Sequence, residues 1–219
     1  MDKKLLYELI LMIPAALLSL SLHEFCHGYA SYKLGDPTAR NLGRLTLNPL
    51  KHIDIFGFIC MVIFKFGWAK PVPVNARYYK NPRRDMAITA AAGPISNLLL
   101  GFIGVIGYEC AYLWYKAAFG SESEFVAYTT VTFFILFAQL NVSLAIFNLI
   151  PVPPLDGSRI LYVFLPTKVY FGIMKYEWII MIAMMALLYI GVFDATIGFL
   201  SSKVLGAMVD LVELIPIFK

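Results

Sequence analysis

The chain has 219 residues, of which 60% are hydrophobic and 15% charged, with a net charge of +4. Soluble domains hold about 45–50% apolar and about 25% charged residues, so a soluble fold is excluded and one integral membrane domain over 1–219 is expected. The positive charge is too small and dispersed for a nucleic-acid surface, and three cysteines without a C-x-x-C pair exclude a disulfide framework or a thiolate zinc site.

Lys3 and Lys4 precede an apolar run that continues to Leu22 with Glu8 as its only charge. With the residues that follow, it makes a first span over about 5–30, long enough for a hydrocarbon core of about 30 Å. Its length, and the lack of a small-residue cleavage site, argue against a removable signal peptide. In its last third lies His23-Glu24-Phe25-Cys26-His27. Residues four apart share a helix face, so both imidazoles can reach one tetrahedral zinc. Glu24 is turned about 100° away, placed to accept a proton from a zinc-bound water rather than to ligate. Ionisable residues inside a span are costly and mark function.

Region 31–85 carries ten Lys or Arg and repeated turn signals. A short strand is expected at 41–47, and a strand or shallow membrane-dipping segment at 58–66, which is too short to span as a helix. Together they predict a small β-sheet inserted between the first and second spans, with an edge that an extended substrate could pair with.

The second span covers 86–115, where Gly101, Gly104 and Gly107 predict close helix packing. Asn97 lies inside it. An amide in lipid needs a partner, and it is also a candidate donor toward a reaction centre. The third span, 125–150, carries Gln139, Asn141 and Asn148 in its second half. It is ended by Pro151, Pro153 and Pro154, followed by Asp156-Gly157. The basic loop 31–85 marks the cytoplasmic side, so the first and third spans end at the same face. Asp156 then lies level with His23 and His27. Catalytic zinc takes three protein ligands and keeps one open position, and Asp156 offers the third. A Met-rich fourth span is expected at about 176–194, and an amphipathic interfacial segment at 196–217, with Lys203, Gly206, Asp210 and Glu213 on one face.

These residues together resemble the site-2 protease family of intramembrane zinc metalloproteases. The resemblance rests on His23 to His27, on Gly93-Pro94-Ile95-Ser96-Asn97, and on the stretch from Asn148 through Pro151 to Asp156-Gly157. The stretch 47–54, with His52, is similar to small prokaryotic members. The resemblance implies an all-α polytopic membrane protein of about four transmembrane helices with the small β-sheet. It implies one Zn2+ per chain on His23, His27 and Asp156, and Glu24 as the catalytic base. Asn97 and Asn148 are placed near the reaction centre or the substrate, and His52 in a gating or structural role. The implied partners are the lipid bilayer and a transmembrane protein substrate, with a regulatory membrane partner and the oligomeric state left open. The implied location is a prokaryotic plasma membrane, with the site near the cytoplasmic face. The alternative is a non-catalytic membrane protein that binds or transports zinc, which has no need of Glu24 beside the ligands.

Overall fold

The computed structural model describes residues 3–54, 57 and 69–218. Its first helix, α1, runs Lys3–Lys33 with Pro14 inside it. Ser19 and Ser21 return their hydroxyls to Ala15 O and Leu17 O at 2.7 and 2.6 Å, so neither is left unpaired in the span. A short α2 (Thr38–Asn41) follows. The longest helix, α3, is Pro82–Ala118, opened by Pro82 where no N–H is needed. Asp85 turns back there to accept from Asn81 N at 3.0 Å. Next comes α4 (Glu124–Asn148), then a proline-rich turn and the short α5 (Asp156–Leu161). The chain ends in α6 (Thr167–Met174), α7 (Glu177–Tyr189) and α8 (Asp194–Val212).

The core is an antiparallel pair of α3 and α4, with α1 laid against both. A methyl group on Gly101 would meet Val142 Cγ2 at 2.8 Å, one on Gly104 Ala138 Cα at 2.9 Å, and one on Gly107 the Phe134 ring at 2.4 Å. The ascending positions on α3 meet descending positions on α4, which gives the antiparallel sense and confirms the predicted small-residue packing. Tyr7 at the start of α1 bonds Thr129 near the start of α4 at 2.8 Å, and Ala15, Leu100 and Phe137 form a buried cluster deeper in. So α1 and α4 run parallel, and their C-terminal ends lie at one end of the bundle, as the charge distribution predicts.

One expectation is corrected. Among the described residues there is no β-strand and so no small β-sheet: the only pairing is an isolated antiparallel bridge between Ile53 and Ala69. The predicted strand at 41–47 begins in α2 and continues as turns. Gly43 has φ +63°, which breaks an extended run, and Arg44 N closes back on Ala39 O at 2.8 Å. The predicted segment 58–66 lies outside the described residues. In the C-terminal third the helices divide the chain differently from the expected 176–194 span and 196–217 segment. Within 176–194, α7 accounts for 13 residues, stops before Gly191 at φ +74° and is bent by 60° from α6. At 1.5 Å per residue, α7 reaches only about 20 Å. The tail instead forms α8, whose 19 residues are apolar and long enough to cross a membrane, at about 28 Å. Its Leu205, Met208, Val209 and Val212 pack on Val105 and Ala138 of the core pair. Among the described residues, four single helices have the length and hydropathy of spans, α1, α3, α4 and α8, and the bent pair of α6 and α7 reaches the same measure when taken together.

Candidate metal centre

His23 and His27 lie on the face of α1 that meets α3, only 6% and 8% exposed. Opposite them α3 presents Thr89, Gly93 and Asn97, a stripe with the same spacing of four. His27 Nδ1 lies 2.7 Å from the Thr89 carbonyl oxygen, and His23 Nδ1 lies 2.5 Å from Asn97 Oδ1. Between these two anchors, Gly93 leaves the room the imidazoles occupy. A Cβ there would fall 2.4 Å from His27 Nε2 and 2.6 Å from His23 Cε1.

Asp156 enters from the end of α4. The turn after Asn148 folds so tightly that a Cβ on Gly157 would lie 2.3 Å from Leu149 O, so only glycine fits beside the carboxylate. Asp156 Oδ2 stands 3.2 Å from His23 Nε2 and 3.2 Å from His27 Nε2, and the two Nε2 atoms are 2.9 Å apart.

These contacts test whether a metal fits. A backbone carbonyl can only accept, so His27 carries its proton on Nδ1. Asn97 spends its amide N–H on Asn141 Oδ1 at 2.8 Å, which turns its own oxygen toward His23. His23 is thereby also an Nδ1–H imidazole. Both Nε2 atoms then present bare lone pairs, and Asp156 Oδ2 is buried without a hydrogen bond. Three lone pairs converging in a dry site repel one another unless a cation lies between them. For metal–ligand bonds of about 2.0–2.1 Å, tetrahedral ligand atoms lie about 3.3 Å apart, close to the separations found. His23, His27 and Asp156 are the group among the described residues arranged to hold a metal ion.

The other predicted site residues lie as follows. Glu24 is half-buried on α1, and its Oε2 accepts from Val72 N at 2.8 Å. The segment 70–75 thus crosses Glu24, fastened on its far side by Arg44 to Lys70 O at 2.8 Å. Asn148 donates its amide within its own helix to Leu144 O at 2.9 Å. His52 is buried outside the ligand group. Its Nε2 lies 2.8 Å from Thr46 O, and its own carbonyl accepts from Lys70 N at 2.8 Å, so it clips the 46–53 turn to the returning chain.

Sequence reasoning missed the supports. Thr89 acts through its carbonyl, which no side-chain pattern reveals. Asp36 sits among the turn signals of region 31–85, between Gly35 and Pro37, yet it is fully buried. It accepts from Ser31 Oγ at 2.8 Å, Asn75 N at 2.7 Å, Thr38 N at 2.9 Å and the Thr38 hydroxyl. Burial works against its charge, but these donors prevail and keep its carboxyl below the ordinary range. Ser31 also meets Tyr79 Oη at 2.7 Å, which meets Thr89 Oγ1 at 2.9 Å. One polar chain therefore joins the end of α1, the 70–79 segment and the residue behind His27. Burial raises the Tyr79 phenol above its usual value.

Residues 114–191, which include α4 and Asp156, match the pattern of Peptidase family M50. The chain is 45% identical over 174 residues to YwhC, a candidate zinc metalloprotease of Bacillus subtilis, covering 77% of each chain. The chain belongs to peptidase family M50, the site-2 protease family. That family is zinc-dependent, and this member is a zinc metalloprotease. With four apolar helices, it is a multi-pass membrane protein. It is also 33% identical over 154 residues to Rip2, a candidate zinc metalloprotease of Mycolicibacterium smegmatis, covering 68% of this chain and 54% of Rip2. Rip2 of Mycobacterium tuberculosis is 27% identical over the same length and shares. The chain thus spans about half the length of the Rip2 proteins. No solved structure matches it.

Proposed function

We propose that this metalloprotease hydrolyses peptide bonds within or near transmembrane segments of other membrane proteins, using His23, His27 and Asp156 as zinc ligands and Glu24 as the catalytic base. The reading is carried by the convergence of three bare lone pairs, from α1 and from the end of α4, at one buried point. Zinc bound there would polarise the scissile carbonyl and acidify a water at its open position. Glu24 takes the proton of the attacking water and returns it to the leaving amine. With one oxygen held by Val72 N–H, its free oxygen is left for that transfer. Asn148, at the exit of α4 beside the turn that delivers Asp156, is the candidate donor to the developing oxyanion. Asn97 is engaged at both ends of its amide and acts on His23 rather than on substrate.

A substrate helix already satisfies its own backbone, so it has to unwind before attack. Unwound backbone is tolerated at membrane depth only where protein or water receives it. The site lies at the end of the bundle beside the basic 31–85 region, which supports a position near the cytoplasmic face of a prokaryotic plasma membrane. The test uses the purified chain with a transmembrane substrate. Glu24→Gln should abolish cleavage while one zinc per chain remains, and Asp156→Ala should lose the zinc. Retained turnover in Glu24→Gln would sink the mechanism. Zinc flux into sealed vesicles without cleavage would favour a carrier instead.

A further inference from the structure

We infer that Asn141 is a positioning residue: acting through Asn97, it fixes the proton of His23 on Nδ1 and so keeps the Nε2 lone pair of that ligand turned toward the metal. The inference rests on the metalloprotease reading only for the destination of that lone pair.

The two histidines are anchored differently. His27 meets a backbone carbonyl, whose polarity cannot be reversed. His23 meets a side-chain amide, and an amide can rotate to present either oxygen or nitrogen. Were Asn97 to turn its nitrogen toward His23, it would donate to Nδ1 and move the ring proton to Nε2, the atom needed for the metal. Which ring nitrogen is free is set by the hydrogen bond the other makes. A stray proton on Nε2 removes the ligand.

Asn141 forbids that rotation. It is fully buried on α4, and its Nδ2 donates to Phe137 O at 2.9 Å, an oxygen that can only accept. Its Oδ1 therefore faces Asn97 and can only accept, which draws the Asn97 N–H toward it at 2.8 Å. The Asn97 oxygen is left for His23. A reversed Asn97 would set two amide oxygens against each other in a buried site. The direction of donation thus starts at a main-chain carbonyl of α4, passes through two amides on α4 and α3, and ends on a ligand of α1. Neither ring nitrogen of His23 is chosen by its own helix. Partners behind metal-bound histidines have this tautomer-setting role, and their loss typically costs about 10–100-fold in metal affinity.

The test reads tautomers in the metal-free, detergent-solubilised full chain, labelled with 15N-histidine. The chain has three histidines. In wild type, His23 and His27 should show protonated Nδ1, and His52 protonated Nε2, because its Nε2 faces Thr46 O. Asn141→Leu should move His23 alone to the Nε2–H form, with His27 as the internal control. Zinc affinity, measured by chelator competition, should fall about 10-fold, the lower end for a partner one step removed. Asn141→Asp should restore the wild-type pattern: a neutral carboxylic acid supplies a hydroxyl to Phe137 O and a carbonyl to Asn97. Should the leucine variant not fold, Asn141→Ala removes the amide without adding bulk. An unchanged His23 signal in a folded apolar variant overturns the inference, as does failure of the aspartate variant to restore it. Wild type that binds no zinc would refute the metalloprotease reading, while the tautomer comparison would still decide the relay.

Discussion

Replacing Gly93 with alanine adds one methyl group at the point where two helices and two imidazoles meet. Its Cβ would lie 2.4 Å from His27 Nε2 and 2.6 Å from His23 Cε1. Relief to an ordinary contact of about 3.4 Å or more requires a shift of about 1 Å. The rings cannot simply rotate away, because each is pinned through Nδ1 to α3 itself. Metal–ligand distances tolerate about 0.2 Å, so a displacement several times larger takes an imidazole out of coordination. Overpacking costs about 1–3 kcal/mol, and each 1.4 kcal/mol is a factor of ten in affinity. Zinc binding should therefore weaken about 10- to 100-fold while the fold survives. Gly206 on α8 serves as the control, since no heavy atom lies within 4 Å of a Cβ built there. Gly206→Ala gains up to about 1 kcal/mol of helix propensity and should leave zinc untouched. Chelator competition and thermal unfolding of both variants in detergent measure the difference. Gly93→Ala with wild-type zinc affinity would refute the packing argument, since it would mean that α3 can move away from the pair without consequence.

Asp156→Asn keeps the size of the side chain but loses the anion between the two Nε2 atoms; stoichiometric zinc should be lost on dialysis, which metal analysis measures. Asp36→Ala leaves Ser31, Thr38 and Asn75 without their buried acceptor, at about 1–3 kcal/mol for each donor stranded, and should open the 70–79 segment to limited proteolysis. Because the Asp36 carboxyl is held below its unfolded value of about 3.9, its contribution is present above that pH and is lost as pH falls through the folded value. Wild type should therefore become protease-sensitive in that segment on acidification below about pH 4, and Asp36→Asn should be sensitive already at neutral pH. Val72→Pro removes the N–H that holds Glu24 Oε2 while keeping an extended backbone between Pro71 and Pro73; turnover should drop with zinc content unchanged, and full activity would show that the contact does not orient the base.

The meeting of His23 and His27 was legible because helical periodicity alone brings residues four apart together. Asp156 was legible through topology, since parallel first and third spans place their ends at one level. What supports the ligands was hidden for a physical reason. A main-chain acceptor such as Thr89 O leaves no mark on residue type, and Gly93 reads as ordinary helix packing until the imidazoles across from it are known. Asn141 stood out as polar, but its role depends on which way two amides point. The strand expected at 41–47 failed because Gly43 takes a left-handed turn that composition does not announce. The helix ends of the C-terminal third were not legible, because hydropathy cannot locate a helix stop such as Gly191. The polar face of α8 was read as a mark of the interface, while its other face is the one buried on the core.

More than half of the chain lies between His27 and Asp156. As the protein is made, its first span meets the bilayer with the two imidazoles but without Asp156. Asp156 joins the two imidazoles only through the turn that follows α4, so the three groups meet once α3, α4 and that turn are in place. On the proposed ligand set, the metal site would therefore be completed late in biogenesis, by the order of the chain itself.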